Sequence, residues 1–337
     1  MKRVILGATG LSVSQFALGA MMFGPMGNPD HDESIRIIHR ALDAGINVID
    51  TADVYSAGES EEIVGAALKG RRDEVVLATK FGLPMGEDPN RSGGSRRWMT
   101  RAVEDSLRRL GTDYIDLYQL HRFDYRTDVG ETLSALTDLV RSGKVRAIGS
   151  STFPAEKIVE AQWAADRHGY QRFLTEQPRY SILTRRLEGA VLPTTEKYTM
   201  GVLTYSPLAG GWLSGRSGIS SSHRASGLPS RYDPSTPSGR AKADAVARLT
   251  AIAEEGGLTL PQLALAFVLS HRAVTSVLIG PRTREQLDGL LTAADLTLDD
   301  DQLDAIDAVV PPGTDVDPAD NYNADSPALL DSALRRR

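Results

Sequence analysis

The sequence predicts an α/β fold, a (β/α)8 TIM barrel with an N-terminal β-hairpin and an extra C-terminal helix or tail. Eight short, mostly apolar runs recur along the chain, and apolar residues repeat at helical spacing between them. With 337 residues, 41% of them hydrophobic, the chain can bury a large core. A closed barrel of about 250 residues or more counts as one domain. We therefore expect a single barrel over residues 1–310, followed by a tail over 311–337 that is either packed or disordered.

The strand candidates are residues 16–18, 47–49, 75–79, 115–120, 145–149, 173–176, 202–205 and 276–279. None alternates strictly between apolar and polar, which suits parallel strands buried on both faces. Between them, Ile35, Ile38 and Leu42 fall at helical spacing, as do Val103, Leu107 and Leu110, then Leu133, Leu136 and Val140. Gly45, Gly111 and Gly143 supply stop signals after these stripes. Eight strand-then-helix units with tight turns close into a barrel.

Two segments stand outside the repeat. Residues 206–240 form a long connection rich in Ser, Gly, Pro and Arg, which reads as a functional lid or a disordered stretch. Residues 311–337 end in Arg335-Arg336-Arg337 and read as a poorly anchored tail.

Composition excludes several functions. A net charge of −6 argues against a nucleic-acid binder, whose affinity comes from clustered Lys and Arg. Without Cys there is no thiolate nucleophile, iron–sulfur cluster or disulfide framework. The six His show no His-x-His or His-Glu-x-x-His spacing, so no metal site is expected. No run approaches the ~18 apolar residues of a membrane helix. The basic start at Lys2 and Arg3 mimics a signal peptide, but Gly7, Gly10, Ser12, Ser14 and Gln15 break the apolar stretch. A cytoplasmic location is the expectation.

Residues 4–10, Val-Ile-Leu-Gly-Ala-Thr-Gly, imitate the glycine turn of a dinucleotide-binding strand. The third glycine position is Val13, and no suitably placed Asp or Glu follows. A hairpin plugging the barrel floor is the preferred reading.

In such a barrel, functional side chains gather where strands end at the C-terminal face. Asp50, Lys80 and His121 end the second, third and fourth strands, and Tyr55 lies five residues past Asp50. Taken singly, each residue is ordinary: a loop Tyr, a solvated Lys, a structural His. Together at one mouth they suit proton transfer to a carbonyl. A free phenol has a pKa of about 10, and a neighbouring ammonium favours the phenolate. Asp50 would hold Lys80, Lys80 would lower Tyr55, and His121 would donate to the carbonyl oxygen. Tyr55 would be the general acid in reduction. No side chain supplies hydride, so a nicotinamide cofactor is required.

These residues resemble the aldo-keto reductase superfamily. The likeness is carried by residues 47–55 (Asn-Val-Ile-Asp-Thr-Ala-Asp-Val-Tyr) and 107–117 (Leu-Arg-Arg-Leu-Gly-Thr-Asp-Tyr-Ile-Asp-Leu). It implies NADPH-dependent reduction of a small-molecule aldehyde or ketone, with Asp50, Tyr55, Lys80 and His121 as a catalytic tetrad. It also implies cofactor contacts at Gly19, Met21, Asp50, Ser151, Thr152, Gln177, Tyr205, Ser206, Leu208, Gly210, Arg216, Gly280, Arg282 and Gln286. Within that set, Thr152 replaces the family's usual Asn, and Tyr205 matches the aromatic on which nicotinamide stacks. Ser206, Leu208, Gly210 and Arg216 match the pyrophosphate segment, with Arg224 and Arg231 either joining it or standing as solvated loop residues, and Arg282 matches the 2′-phosphate site. Gly289-Leu290 replaces the Glu-Asn pair that commonly binds adenine.

The resemblance extends to potassium-channel beta subunits, which keeps an NADP(H)-sensing binding subunit as the alternative. An isomerase or hydrolase on the same barrel would need a metal set or a carboxylate base that the sequence does not offer. Met21, Met22, Phe23, Tyr55, Trp98 and Trp212 are candidates to line an apolar substrate pocket. Substrate identity and oligomeric state stay open.

Overall fold

The computed structural model describes residues 1–215, 229–321, 332–334 and 336. Strands β1 (Arg3–Ile5) and β2 (Ser12–Ser14) pair antiparallel, with Arg3 opposite Ser14. Eight parallel strands follow: β3 (Phe16–Gly19), β4 (Val48–Asp50), β5 (Val76–Phe81), β6 (Ile115–Leu120), β7 (Val145–Ser151), β8 (Thr175–Gln177), β9 (Gly201–Thr204) and β10 (Ser276–Ile279). β10 pairs with both β3 and β9, and this closes the barrel. Every strand expected from the sequence is present.

The helices among the described residues are α1 (His31–Asp43), α2 (Glu59–Ala67), α3 (Arg96–Leu110), α4 (Val129–Arg141), α5 (Ala155–His168), α6 (Val191–Lys197), α7 (Pro237–Glu255), α8 (Leu260–Ser270), α9 (Arg284–Leu291) and α10 (Asp300–Val309). One follows each barrel strand, except that α7 and α8 both follow β9 and α10 is added after α9. The caps explain the boundaries. Ser95 accepts the Trp98 N–H at the start of α3, and Gly111, at φ 63°, ends it. Asp299 and Gln302 form a reciprocal capping box on α10.

Alternation along the strands separates two apolar layers. Leu18, Ile49, Leu77 and Tyr118 face outward and pack with Ile37, Ile38, Leu133 and Leu136 from the helices. Ala17, Val48, Ala78 and Leu117 face inward and close the floor together with Leu6 and Val13 of the hairpin. Burying those two hairpin side chains is worth about 1.5–3 kcal/mol each. Residues 4–10 thus belong to a plug. The Gly7 backbone, at φ 52°, passes so near β9 that a Cβ there would lie 2.2 Å from the Gly201 nitrogen.

The first part of the tail is packed rather than loosely anchored. Residues 311–321 are pinned: the Val316 N–H donates to Leu183 O at 3.0 Å, and Arg185 N–H to Thr314 O at 2.9 Å. The Lys242 ammonium on α7 lies 2.7 Å from Asp317 and 2.6 Å from Asp320, all three buried. The connection after β9 is shorter than read, because α7 already begins at Pro237, with Thr236 capping it. No single helix among the described residues is long and apolar enough to cross a membrane.

Candidate active site

The inward positions that make the floor continue upward as polar residues. Two residues past Val48, Ala78 and Leu117 stand Asp50, Lys80 and Gln119, and Lys80 is in register with Gln119. Period-two alternation therefore places three polar side chains on the inner wall just above an apolar floor.

The Lys80 ammonium, fully buried, donates to Asp50 Oδ1, to Thr51 O at 3.0 Å and to Tyr55 Oη at 3.4 Å. Asp50 Oδ2 accepts from Gln119 Nε2 at 3.0 Å and Gln177 Nε2 at 2.8 Å. The carboxylate is thus held on both oxygens, which a buried charge requires. The Tyr55 and His121 rings meet edge to face, with centroids 5.7 Å apart. Asp50, Tyr55, Lys80 and His121 therefore converge as the sequence suggests.

The electrostatics correct one expectation. Burial pushes the Tyr55 phenol above its usual range, and the Lys80 ammonium opposes that push without reversing it. The phenol keeps its proton at neutral pH. Burial, reinforced by Lys80 and Arg122, holds His121 well below the usual imidazole range, so the ring is neutral. A neutral imidazole retains one N–H donor.

Around this centre the strand-end residues form a rim. Ser151 Oγ donates to Gln177 O at 2.9 Å, and Thr152, at φ 55°, donates its N–H to the same carbonyl at 3.1 Å. The Thr152 and Tyr205 hydroxyls lie 3.2 Å apart. Ser206, at φ 57°, turns the chain away from β9, and Leu208 then precedes a short 3-10 turn, Ala209–Gly211, that contains Gly210. Across the mouth, Gly19 and Gly280 end β3 and follow β10, and the space above Gly280 is open except for Gly19 O at 3.9 Å. The Arg282 N–H donates to Gln286 Oε1 at 2.9 Å, and Arg282 O accepts from Asn28 Nδ2 at 2.8 Å. Its guanidinium makes no ion pair among the described residues. Met21 is partly exposed beside β3.

Arg216 and Arg224 lie outside the described residues. Arg231 is turned toward Asp320, 3.8 Å away. The apolar lining also needs correction. Phe23 is fully buried in the outer core, and Trp98 and Trp212 are 2% and 6% exposed, Trp212 stacking on Tyr232. Met22 is also buried, leaving Met21 and Tyr55 as the partly exposed members of that set.

Sequence reasoning missed Gln119, although counting back two residues from His121 on β6 finds it. It also missed Glu61 and Arg109, which pair at 2.6 Å behind Tyr55.

An all-parallel barrel with its polar residues gathered at the C-terminal mouth, over an apolar floor, has the build of a barrel enzyme. The sequence comparisons narrow that class. The chain belongs to the aldo/keto reductase family, whose profile matches residues 15–311, and it is therefore of an oxidoreductase family. It is 38% identical to the Bacillus subtilis protein named uncharacterized oxidoreductase YrpG, over 92% of this chain and 96% of that protein. It is 35% identical to aldo-keto reductase YhdN of the same organism, over 90% and 92%. It is equally 35% identical to a probable voltage-gated potassium channel subunit beta of Oryza sativa, over 90% and 95%.

Proposed function

We propose that this chain is an NADPH-dependent carbonyl reductase that converts an aldehyde or ketone to the alcohol, with Tyr55 as the general acid. The observation that carries this reading is Lys80, which hydrogen-bonds Asp50 on one side and the Tyr55 hydroxyl on the other. A phenol that holds its proton at rest and has an ammonium beside it as charge develops suits the donor's task. Tyr55 gives its proton to the carbonyl oxygen as the carbon is reduced. His121 N–H orients that oxygen, and Lys80 stabilises the phenolate left behind.

The rim fits a nicotinamide dinucleotide. Ser151 Oγ keeps lone pairs free to accept from a carboxamide, and Tyr205 offers a partly exposed ring beside it. Ser206, Leu208 and Gly210 provide a turn with backbone groups for a pyrophosphate. Arg282, which makes no ion pair among the described residues and lies beside the N-terminus of α9, suits a 2′-phosphate, which favours NADPH over NADH. When bound, the dihydronicotinamide supplies the hydride. A reductive role of this kind fits the cytoplasm.

The test is Tyr55→Phe, assayed for carbonyl reduction at saturating NADPH with NADPH binding followed by fluorescence. We expect binding kept and reduction lost; intact reduction would remove Tyr55 from its role. The alternative, a nucleotide-sensing subunit like the relatives named as channel subunits, predicts tight NADPH binding with no turnover over aromatic, aliphatic and sugar aldehydes. The complete donor set supports the enzyme.

A further inference from the structure

Tyr55 is followed by three residues with positive φ: Ser56 at 50°, Ala57 at 56° and Gly58 at 103°. Two of the three are not glycine, a conformation that persists only where the surroundings over-determine it. On the outer side, Ser56 Oγ donates to Phe23 O at 3.0 Å and accepts from Met26 N at 3.3 Å.

On the inner side the turn rests on Arg109 of α3. A Cβ at Gly58 would lie 2.8 Å from Arg109 Cδ, so the glycine leaves passage for that side chain. The Arg109 guanidinium reaches Glu61 of α2, with Nε 2.7 Å and Nη2 2.6 Å from Oε2. Glu61 Oε1 accepts from Thr79 Oγ1 at 2.6 Å. Thr79 immediately precedes Lys80 on β5 and faces the other way. The Asp53 N–H donates to Lys80 O at 3.1 Å, which fastens the Tyr55 loop to the same strand.

Glu61 is fully buried, and the Arg109 side chain is 13% exposed. Neither takes part in the proposed chemistry. For stability alone, a buried ion pair is no better than well-packed apolar residues. Its position is specific: one charge props the turn after Tyr55, the other holds the residue before Lys80.

We propose that the Glu61–Arg109 pair is a positioning device that sets the Tyr55 hydroxyl against Lys80, so that Glu61 and Arg109 govern turnover without touching substrate or cofactor. The inference rests on Tyr55 being the acid. Removing the pair lets the strained turn relax, and the phenol moves off the ammonium. A misplacement of about 1 Å at a reacting group can cost roughly 100-fold in rate.

The experiment uses the full chain carrying Glu61→Gln with Arg109→Met, a double variant that leaves no lone buried charge, and Arg109→Lys as the conservative change. Three readouts are taken: kcat and KM for one aldehyde, the NADPH dissociation constant, and the Tyr55 ring-carbon resonance in 13C-tyrosine-labelled protein. The resonance is assigned by its loss in Tyr55→Phe. We expect the folded double variant to lose roughly 10- to 100-fold in kcat, with the NADPH constant unchanged within about twofold. The Tyr55 resonance should shift, and Arg109→Lys should recover part of both effects. A folded double variant with the wild-type kcat and an unmoved Tyr55 resonance overturns the proposal, as does a loss confined to the NADPH constant. The resonance is read without turnover, so it decides the positioning claim even if Tyr55 proves not to be the acid.

Discussion

Lys80 approaches Asp50 more closely than it approaches Tyr55, whose hydroxyl lies 3.4 Å from its ammonium. The ammonium is anchored by the carboxylate and only leans on the phenol. Lys80→Met should therefore act twice. It leaves the Asp50 carboxylate buried without its cation, costing about 3–5 kcal/mol of stability, and it removes the charge that in the proposed reaction stabilises a developing phenolate. Adding Asp50→Asn removes the stranded charge, so the double variant should recover most of the stability and none of the turnover. Urea unfolding and kcat measured on both variants check this; recovered turnover in the double variant would contradict the role given to Lys80.

Gln119 and Gln177 both donate to Asp50 Oδ2. Gln119→Leu takes one donor from a buried carboxylate, for which we expect about 1–3 kcal/mol of lost stability and a milder fall in kcat than at Lys80. Chemical unfolding gives the first quantity and steady-state kinetics the second. An unchanged unfolding midpoint would mean that Asp50 does not depend on this bond.

The barrel and its mouth were legible because most barrel strands are apolar runs, the polar β8 (Thr175–Gln177) being the exception. Asp50, Lys80 and His121 interrupt the pattern at strand ends, where a charge has a reason to be. Gln119 was harder to see, since it lies inside the β6 run and a single amide there reads as tolerated. The anchoring of residues 311–321 was invisible for another reason. Asp317 and Asp320 meet Lys242 across the fold, and ion pairs between distant segments leave no local period. The elevated Tyr55 phenol and the place of Phe23 in the outer core depend on burial, which spacing alone does not report.

Burial, with Glu61 adding to it, pushes Asp53 up to about 8, and burial pushes Glu176 up to about 7. Both carboxyls hold protons in the fold over a range where the unfolded chain has released them, from about pH 4 upward. The folded state then binds more protons than the unfolded state, so these groups lower stability as pH rises through that window, until about 8 and 7. Asp53→Asn removes its share. The variant should gain stability over the wild type at pH 8 and show little gain near pH 4. Urea midpoints across that range are the measurement; identical pH profiles for the two proteins would count against a protonated Asp53.

Lys242 is buried between Asp317 and Asp320, with its ammonium 5.8 Å from the Trp212 ring. Trp212 stacks on Tyr232, and the Tyr232 hydroxyl donates to Gly210 O at 3.0 Å. One cation thus ties the C-terminal segment to both ends of the connection that follows β9. Lys242→Met takes the cation from Asp317 and the nearest cation from Asp320, which keeps Arg231 and Arg179 at 3.8 and 3.9 Å, and we expect a loss of about 3 kcal/mol together with faster proteolytic cleavage after residue 310. The loosening should also reach Gly210 and weaken NADPH binding more than it lowers kcat. Limited proteolysis and an NADPH titration on the same preparation separate the two effects. Cleavage at the wild-type rate would show that the segment is held by the Leu183 and Arg185 backbone bonds instead.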